Sequence, residues 1–156
     1  MAAALAAPVA RVVLVTGADA QAVADHAREM AARLGASDRL DIVHAPDWDE
    51  GMSASLKRGV AAAAGADGVY IFLGDMPRAP VSVLAPLATA LSAGAAAAAP
   101  VCGGQRGHPC LLGREIMGRV AGLSGDRGAA SLLGDAVLVE TDDDGVLFDV
   151  DRPPEG

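Results

Sequence analysis

The chain has 156 residues and a formal net charge of −8, and only 3% of its residues are aromatic. That length suits one domain with a proper core, so we expect residues 1–156 to form a single domain. The negative charge argues against nucleic-acid and anionic-membrane partners, because both require a basic surface. The N-terminal stretch lacks the positive region of a signal peptide, and Pro8 and Arg11 interrupt its apolar run. We therefore expect a cytoplasmic protein.

The first half of the chain alternates short apolar runs with helical patterns. The runs are RVVLVTG (11–17), LDIVHA (40–45) and GVYIFLGD (68–75). Continuous apolar runs of this length indicate strands that are buried on both faces. The helical patterns have the inward positions Val23, Ala27, Met30 and Leu34; Met52, Leu56, Val60 and Ala63; and, after Pro80, Leu84, Leu87 and Leu91. This order predicts an α/β fold with a mostly parallel sheet between two layers of helices.

The second half of the chain has a different pattern. CGGQRG (102–107) predicts a hairpin connection, and residues 136–151 predict a second hairpin that turns at Asp144 and Gly145. The two cysteines, Cys102 and Cys110, are expected to be small buried hydrophobic residues in reducing surroundings.

Asp75 lies just after the apolar run 68–75, at the carboxyl end of a predicted strand. Ligands of parallel α/β sheets gather at that end. A carboxylate there suits a magnesium ion that carries phosphates, although turn aspartates often occupy such positions as well. Gly74 before it and Pro77 after it weaken the turn explanation.

Ser53 and Ser55 open a predicted helix just after Gly51. Backbone amides and hydroxyls at such a helix start attract the oxygens of a phosphate, ribose or base. An ordinary helix cap, with Trp48 covering the loop, explains the same residues equally well.

Two further loops carry charged residues beside glycines. Arg106 and His108 flank Gly107 and could grip an oxyanion, while Asp126 and Arg127 lead into a predicted helix start. Each motif is weak in isolation.

Asp149 and Asp151 fall on the same side of an extended segment. Two adjacent carboxylates repel each other unless a cation stands between them. Arg152 could be that cation, and a magnesium ion shared with Asp75 is the functional alternative.

The order of these motifs resembles the MobA-like NTP transferase family, and within it the molybdenum cofactor cytidylyltransferase branch. The resemblance covers essentially the whole chain through PDWDEGMSASL (46–56), LGDMP (73–77), RGHPCLL (106–112), GDRGAASLL (125–133) and DVDRP (149–153). It implies a Rossmann-like, nucleotide-diphospho-sugar transferase-like fold. It also implies transfer of CMP or GMP from CTP or GTP to molybdopterin, with release of pyrophosphate.

The resemblance also implies roles for individual residues. Asp75 would be catalytic and hold Mg²⁺, with Asp149 or Asp151 as a second ligand. The nucleotide would lie against Gly51, Ser53, Ser55 and Gly74. The acceptor would lie against Arg106, His108, Asp126 and Arg127.

One family feature is missing from the chain. The family begins with a strand and a Gly-rich loop that wraps the triphosphate, and neither is found here. That strand is normally central, between those corresponding to 11–17 and 68–75. Its absence predicts that the neighbouring strands close up, that another chain (a further copy or a molybdoenzyme maturation partner) fills the place, or that the natural start lies upstream. Two other functions stay open: a catalytically inactive nucleotide- or pterin-binding paralogue, and an oxidoreductase offshoot of the superfamily.

Overall fold

This computed structural model describes residues 1–150. They contain seven strands and five α-helices, with short 3₁₀ turns between them. The strands are β1 (Val12–Thr16), β2 (Leu40–His44), β3 (Gly68–Ile71), β4 (Ala97–Cys102), β5 (Gln105–Arg106), β6 (Cys110–Gly113) and β7 (Val137–Glu140). The helices are α1 (Ala2–Ala6), α2 (Ala20–Arg33), α3 (Met52–Ala62), α4 (Leu84–Ser92) and α5 (Arg114–Arg119). Asp151, a predicted metal ligand, lies outside the described residues. No helix in residues 1–150 is long and apolar enough to cross a bilayer.

The strands form one parallel sheet and one mixed sheet, both flanked by helices, which confirms the predicted α/β class. β1 and β2 pair in parallel as a two-stranded sheet. The larger sheet has the order β3-β6-β4-β5, and β7 also pairs with β4 in parallel. Because β6 runs antiparallel to both β3 and β4, those two strands and β7 share one direction.

The first predicted hairpin is confirmed and the second is wrong. β4 and β5 pair antiparallel across Gly103 and Gly104, which have φ values of 57° and 82°. After β7, by contrast, the chain makes a 3₁₀ turn at Asp144–Val146, and residues 147–150 form no strand. The carboxylate of Asp143 accepts the Gly145 N–H at 2.9 Å, and the Val146 side chain is fully buried. This capped turn replaces the predicted strand alternation.

Helix α2 packs mainly through alanines, so the predicted inward face is confirmed at Ala27 and wrong at Val23 and Leu34. Ala24, Ala27 and Ala31 are buried, whereas the side chains of Val23 and Leu34 are 41% and 52% exposed. Alanines let a helix approach a sheet closely, so the buried face of α2 is rotated from the face that residue size suggested.

β1 and β3 each pair with a single strand within residues 1–150, β2 and β6 respectively. Within residues 1–150, no pairing joins β1 to β3, and we call the space between Val12–Thr16 and Gly68–Ile71 the central slot. Val13–Val15 and the four residues of β3 are only partly buried, whereas the residues of β6 are all buried. This differs from the prediction of strands buried on both faces, because each strand has one edge without a neighbour.

Helices α3 and α1 pack near the central slot. On one face, Gly59 of α3 packs on Val15, and Leu56 and Val60 join the cluster that contains Val69 and Ile71 of β3. On the other face, α1 contacts the turn Val81–Val83, and its buried Leu5 packs with Val12 of β1. Helix α3 therefore contacts both sheets, whereas α1 joins the small sheet to the turn Val81–Val83.

Arg39 fixes the end of α1. Its guanidinium donates to the carbonyl oxygens of Leu5 at 2.7 Å, Ala7 at 3.2 Å and Val9 at 2.9 Å. These carbonyls belong to the last turn of α1 and to the connection that leads to β1. The Leu5 carbonyl lies in the last helical turn, where carbonyls lack a partner within the helix, and a cation there also favours the helix dipole. The Ala7 carbonyl accepts the Val9 N–H as well.

We expect Arg39→Ala to lower the free energy of unfolding by about 2 kcal/mol, since charge-assisted hydrogen bonds are lost. Urea denaturation measures this change. The matched control is Arg28→Ala, which removes an exposed ion pair with Asp25 and should cost less than about 0.5 kcal/mol. Equal losses in the two variants would contradict the assigned role of Arg39.

Candidate functional site

Asp75 and the Asp149 segment meet just beyond the carboxyl end of β3. The backbone N–H of Val150 donates to the carbonyl oxygen of Asp75 at 2.9 Å, and both Asp75 and Asp149 are exposed. Within residues 1–150, no hydrogen bond or ion pair occupies the Asp75 carboxylate. The structure thus brings two of the predicted carboxylate residues to one place, at the edge of the sheet where ligands of α/β folds bind.

His108 adjoins the same strand end. Its ring Nδ1 lies 3.2 Å from the carbonyl oxygen of Ile71, the last residue of β3, and its backbone N–H donates to Val146 at 2.8 Å. Burial lowers the pKa of His108 below the usual 6.5, although the bond to Ile71 and the negative charge of Asp75 act in the opposite direction. The imidazole is therefore neutral at pH 7 and can bind one group through each ring nitrogen.

Gly107 allows this arrangement. A Cβ at Gly107 would overlap the carbonyl oxygen of Val146, so the loop 106–109 packs tightly on the turn Asp144–Val146. Arg106 diverges from His108: it is exposed, and its guanidinium donates to the Leu133 carbonyl at 2.6 Å.

A second group of predicted residues meets at the start of α3. The N–H of Ser53 donates to the Gly125 carbonyl at 3.0 Å, and a Cβ at Gly51 would overlap the Gly125 backbone and approach Asp126. Ser53 is buried and Ser55 is partly buried, while Asp126 is exposed. Residues assigned separately to the nucleotide and to the acceptor thus form one cluster, and one helix-start amide is already bonded to the protein.

Two residues carry no predicted role but lie beside that cluster. A Cβ at Gly17, just after β1, would come 2.7 Å from Cγ of Trp48, so the indole rests on this glycine with the side chain 45% exposed. Oδ1 of Asp47 is a buried acceptor that lacks a hydrogen bond within the described residues, and Nε of Arg58 lies 3.6 Å from it. An exposed indole on a glycine at a strand end offers a flat apolar surface to a ligand ring.

Arg78 is a cation of the segment after β3 that the sequence analysis missed. Its guanidinium donates to Asp144 at 3.0 Å and lies 4.7 Å from the centre of the Phe148 ring. Its position three residues after Asp75 was the available signal.

The predicted residues form two clusters. One contains Asp75, Gly74, His108 and Asp149; the other contains Gly51, Ser53, Ser55, Asp126 and Arg127. No hydrogen bond or ion pair of residues 1–150 joins them directly. Within that range, no group of three or more His, Cys, Asp or Glu residues is arranged to hold a metal ion. Metal binding by Asp75 and Asp149 stays a prediction.

Comparison with known proteins defines the family. The profile of the MobA-like NTP transferase domain matches residues 1–141. The chain belongs to this family. It is a nucleotidyltransferase family, and the resemblance stated from the motifs is confirmed.

Two relatives show how far the similarity extends. The chain is 25% identical over 147 residues to a molybdenum cofactor cytidylyltransferase of Escherichia coli K12, which covers 93% of this chain and 71% of that protein. It is 34% identical over 122 residues to the purine catabolism protein PucB of Bacillus subtilis 168, which covers 70% of this chain and 56% of PucB. The chain thus spans little more than half of the second relative.

Solved structures of family relatives have the same fold. A homologue of Mycobacterium tuberculosis Rv0371c from Mycobacterium sp. strain JC1 superposes with a TM-score of 0.69 at 27% identity, over 90% of this chain and 71% of that one. Rv0371c of M. tuberculosis H37Rv, solved as a complex with manganese, superposes with a TM-score of 0.64 at 26% identity. The superposition covers 86% of this chain and 69% of that one.

We expect Gly107→Ala to lower the free energy of unfolding by about 1–3 kcal/mol, because the added methyl group displaces the Val146 carbonyl. Thermal and urea denaturation measure the loss. The control is Gly118→Ala in α5, where a Cβ meets nothing within 4 Å and helix propensity improves. A stable Gly107→Ala protein would show that the loop and the turn do not pack as described.

We expect part of the pH dependence of stability to come from His108. The unfolded chain has the ordinary histidine pKa of 6.5 and the folded chain a lower one, so the unfolded state binds the proton first as pH falls. This stabilisation is complete above pH 6.5 and is lost as pH falls from 6.5 to the folded pKa.

Urea denaturation across that window compares the wild-type protein with His108→Gln, which should lose less stability. His26→Gln, at an exposed position of α2, is the matched control. An unchanged slope in His108→Gln would refute the assignment.

Proposed function

We propose that the protein transfers a nucleotidyl group from an NTP to molybdopterin in the cytoplasm, with release of pyrophosphate. The group is CMP from CTP or GMP from GTP. The observation that carries this proposal is the meeting of Asp75 with the Asp149 segment beyond β3, in a chain of the MobA-like NTP transferase family. The similarity to a molybdenum cofactor cytidylyltransferase supports the acceptor.

The two carboxylates fit a hard divalent cation. Mg²⁺ is usually bound by one or two carboxylates together with substrate phosphates and water, and Asp75 and Asp149 are exposed oxygen donors of that kind. We propose Mg²⁺ as the cofactor, with Asp151 as a third candidate ligand. A relative of the same fold is a complex with manganese, which prefers similar oxygen ligands. When bound, the ion would neutralise charge on the phosphates.

The residues of the chain would position the two substrates. Gly51, Ser53 and Ser55 would form one wall of the nucleotide pocket, with Trp48 as a flat surface beside it. Gly74 would let the nucleotide phosphates approach β3 closely.

Arg106, His108, Asp126 and Arg127 would face the acceptor, and the cation of Arg127 is exposed for a phosphate. An oxygen of the acceptor's terminal phosphate then attacks the α-phosphorus, while the bond to pyrophosphate breaks.

A second candidate function is non-catalytic binding of a nucleotide or pterin. The sequence of residues 1–150 favours it, because it contains no Gly-rich loop of the kind that wraps the triphosphate in the family. Such a protein would serve molybdoenzyme maturation by holding a ligand.

We expect pyrophosphate release from CTP or GTP in the presence of molybdopterin and Mg²⁺, and Asp75→Asn should slow it at least about 100-fold. Asp142→Asn, at an exposed position with no predicted role, should retain the activity. The coupled phosphate assay gives the rate for each nucleotide.

Calorimetry on the same variants separates the candidate functions. Tight pterin binding that is independent of Mg²⁺, without turnover, would favour the non-catalytic alternative. The absence of both turnover and binding would remove both functions.

A further inference from the structure

We propose that His108 determines specificity for the acceptor substrate by accepting a hydrogen bond, through its ring nitrogen Nε2, from an N–H or O–H group of that substrate. His108 therefore does not bind a phosphate oxygen. This inference rests on the proposed function, because it concerns the acceptor of the transferred group.

The backbone holds His108 in a fixed position. The N–H of Gly107 donates to the Pro100 carbonyl at 2.8 Å, and the N–H of His108 donates to the Val146 carbonyl at 2.8 Å. A Cβ at Gly107 would overlap the Val146 carbonyl, so the loop and the turn Asp144–Val146 are in close contact. Side chains that select a ligand require a support of this kind, because a loosely held group cannot discriminate between ligands.

The contact with Ile71 decides which ring nitrogen carries the proton. Nδ1 of His108 lies 3.2 Å from the Ile71 carbonyl oxygen, which can only accept a hydrogen bond. Nδ1 therefore carries the proton and donates it to this bond. Burial lowers the pKa of His108, so the ring is neutral at pH 7 and has one N–H group in total. Nε2 is then unprotonated, and it can accept a hydrogen bond but cannot donate one.

Nε2 is also open to a ligand. It makes no hydrogen bond to any residue of 1–150. Within the same range, the only enclosed side-chain nitrogen or oxygen without a hydrogen bond is Oδ1 of Asp47, so Nε2 of His108 reaches the surface. The ring lies close enough to Asp75 for the negative charge of that carboxylate to act on it. An available hydrogen-bond acceptor thus stands beside the carboxylate that we propose to be catalytic.

This state of the ring excludes two kinds of ligand. Phosphate oxygens are negatively charged acceptors at neutral pH, so they find no donor at Nε2. A metal ion is excluded because His108, Asp75 and Asp149 are not arranged to hold one, and no other such group of three exists within residues 1–150. The result corrects the expectation that His108 grips an oxyanion. The exposed cation of Arg127 remains available for the phosphate.

A nitrogen heterocycle provides the required donor. The ring N–H and amino groups of a pterin are donors of this kind, whereas inorganic pyrophosphate offers only phosphate oxygens. The two molecules are therefore suitable probes for the two possible roles of His108.

Nitrogen NMR of the histidine rings tests the tautomer in the wild-type chain. At neutral pH we expect the proton of His108 on Nδ1, with the resonances assigned by their loss in His108→Asn. Added pterin should shift the Nε2 resonance toward that of a protonated nitrogen, and added pyrophosphate should not. A proton on Nε2, or bound pterin that leaves the Nε2 resonance unchanged, would overturn the inference even if every variant failed to fold.

Calorimetry on two variants tests the contact with the ligand. Asparagine can replace the Nδ1–H donor but does not extend to the position of Nε2, whereas glutamine does. We expect His108→Asn to weaken pterin binding about tenfold, because a donor of the ligand loses its partner, and to leave pyrophosphate binding unchanged. His108→Gln should weaken pterin binding less. The matched control is His44→Asn, at an exposed residue whose Nδ1 also lies 3.2 Å from a carbonyl, that of Thr16, and it should change neither affinity.

The outcomes separate this inference from the proposed function. A loss of pterin affinity in His108→Asn, with pyrophosphate affinity retained, supports the inference. Pterin binding that is independent of His108, or an equal or larger loss for pyrophosphate, would overturn the inference and leave the proposed function standing. A wild-type protein that does not bind pterin would overturn both. Urea denaturation shows whether each variant is folded.

Discussion

Helix α3 is the element on which the arrangement of this chain depends. Through Gly59 it touches Val15 of the small sheet, and through Leu56 and Val60 it joins the apolar cluster of the large sheet. Its first turn is bonded to the loop that carries Asp126. One helix thus sets the distance between the two sheets and the position of one of the two candidate site clusters. A change that shifts α3 would alter the fold and the site together, since interiors are packed too closely to absorb the movement.

The two site clusters owe their positions to close backbone approaches at glycine. Gly107 lies against the Val146 carbonyl, Gly51 against Gly125, and Gly17 beneath Trp48. None of these positions tolerates a methyl group without movement of its neighbour. Close packing at these glycines therefore holds the loops at the carboxyl edge of the sheets, with few side-chain hydrogen bonds between the loops. Charged side chains such as those of Asp75 and Asp126 remain exposed, as binding a polar ligand requires.

Local signals in the sequence predicted the elements well, and tertiary context decided the rest. The sequence predicted β1, β2, β3 and the Gly103–Gly104 hairpin correctly, because these elements depend on patterns of neighbouring residues. The buried face of α2 was predicted only in part, with Ala27 correct and Ala24 and Ala31 missed, because alanine gives little hydrophobic signal although it packs most closely. The prediction of the second hairpin was wrong because the side chain of Asp143 caps a turn, which strand propensity does not predict. At the site, the placement of Asp75 past β3 followed from sequence, whereas the partner of Arg106 and the ion pair of Arg78 depend on residues distant in the chain.

The burial of Cys110 has a consequence for chemical probing of this chain. Burial raises the pKa of its thiol to about 12, and its side chain is inaccessible in the middle of the large sheet. Thiolate is the reactive form, so Cys110 resists alkylating reagents and mild oxidants at neutral pH. Cys102, at the end of β4, is partly accessible and is the other free cysteine. A maleimide dye or nitroxide would therefore attach at one native position, and no cysteine would have to be removed before labelling.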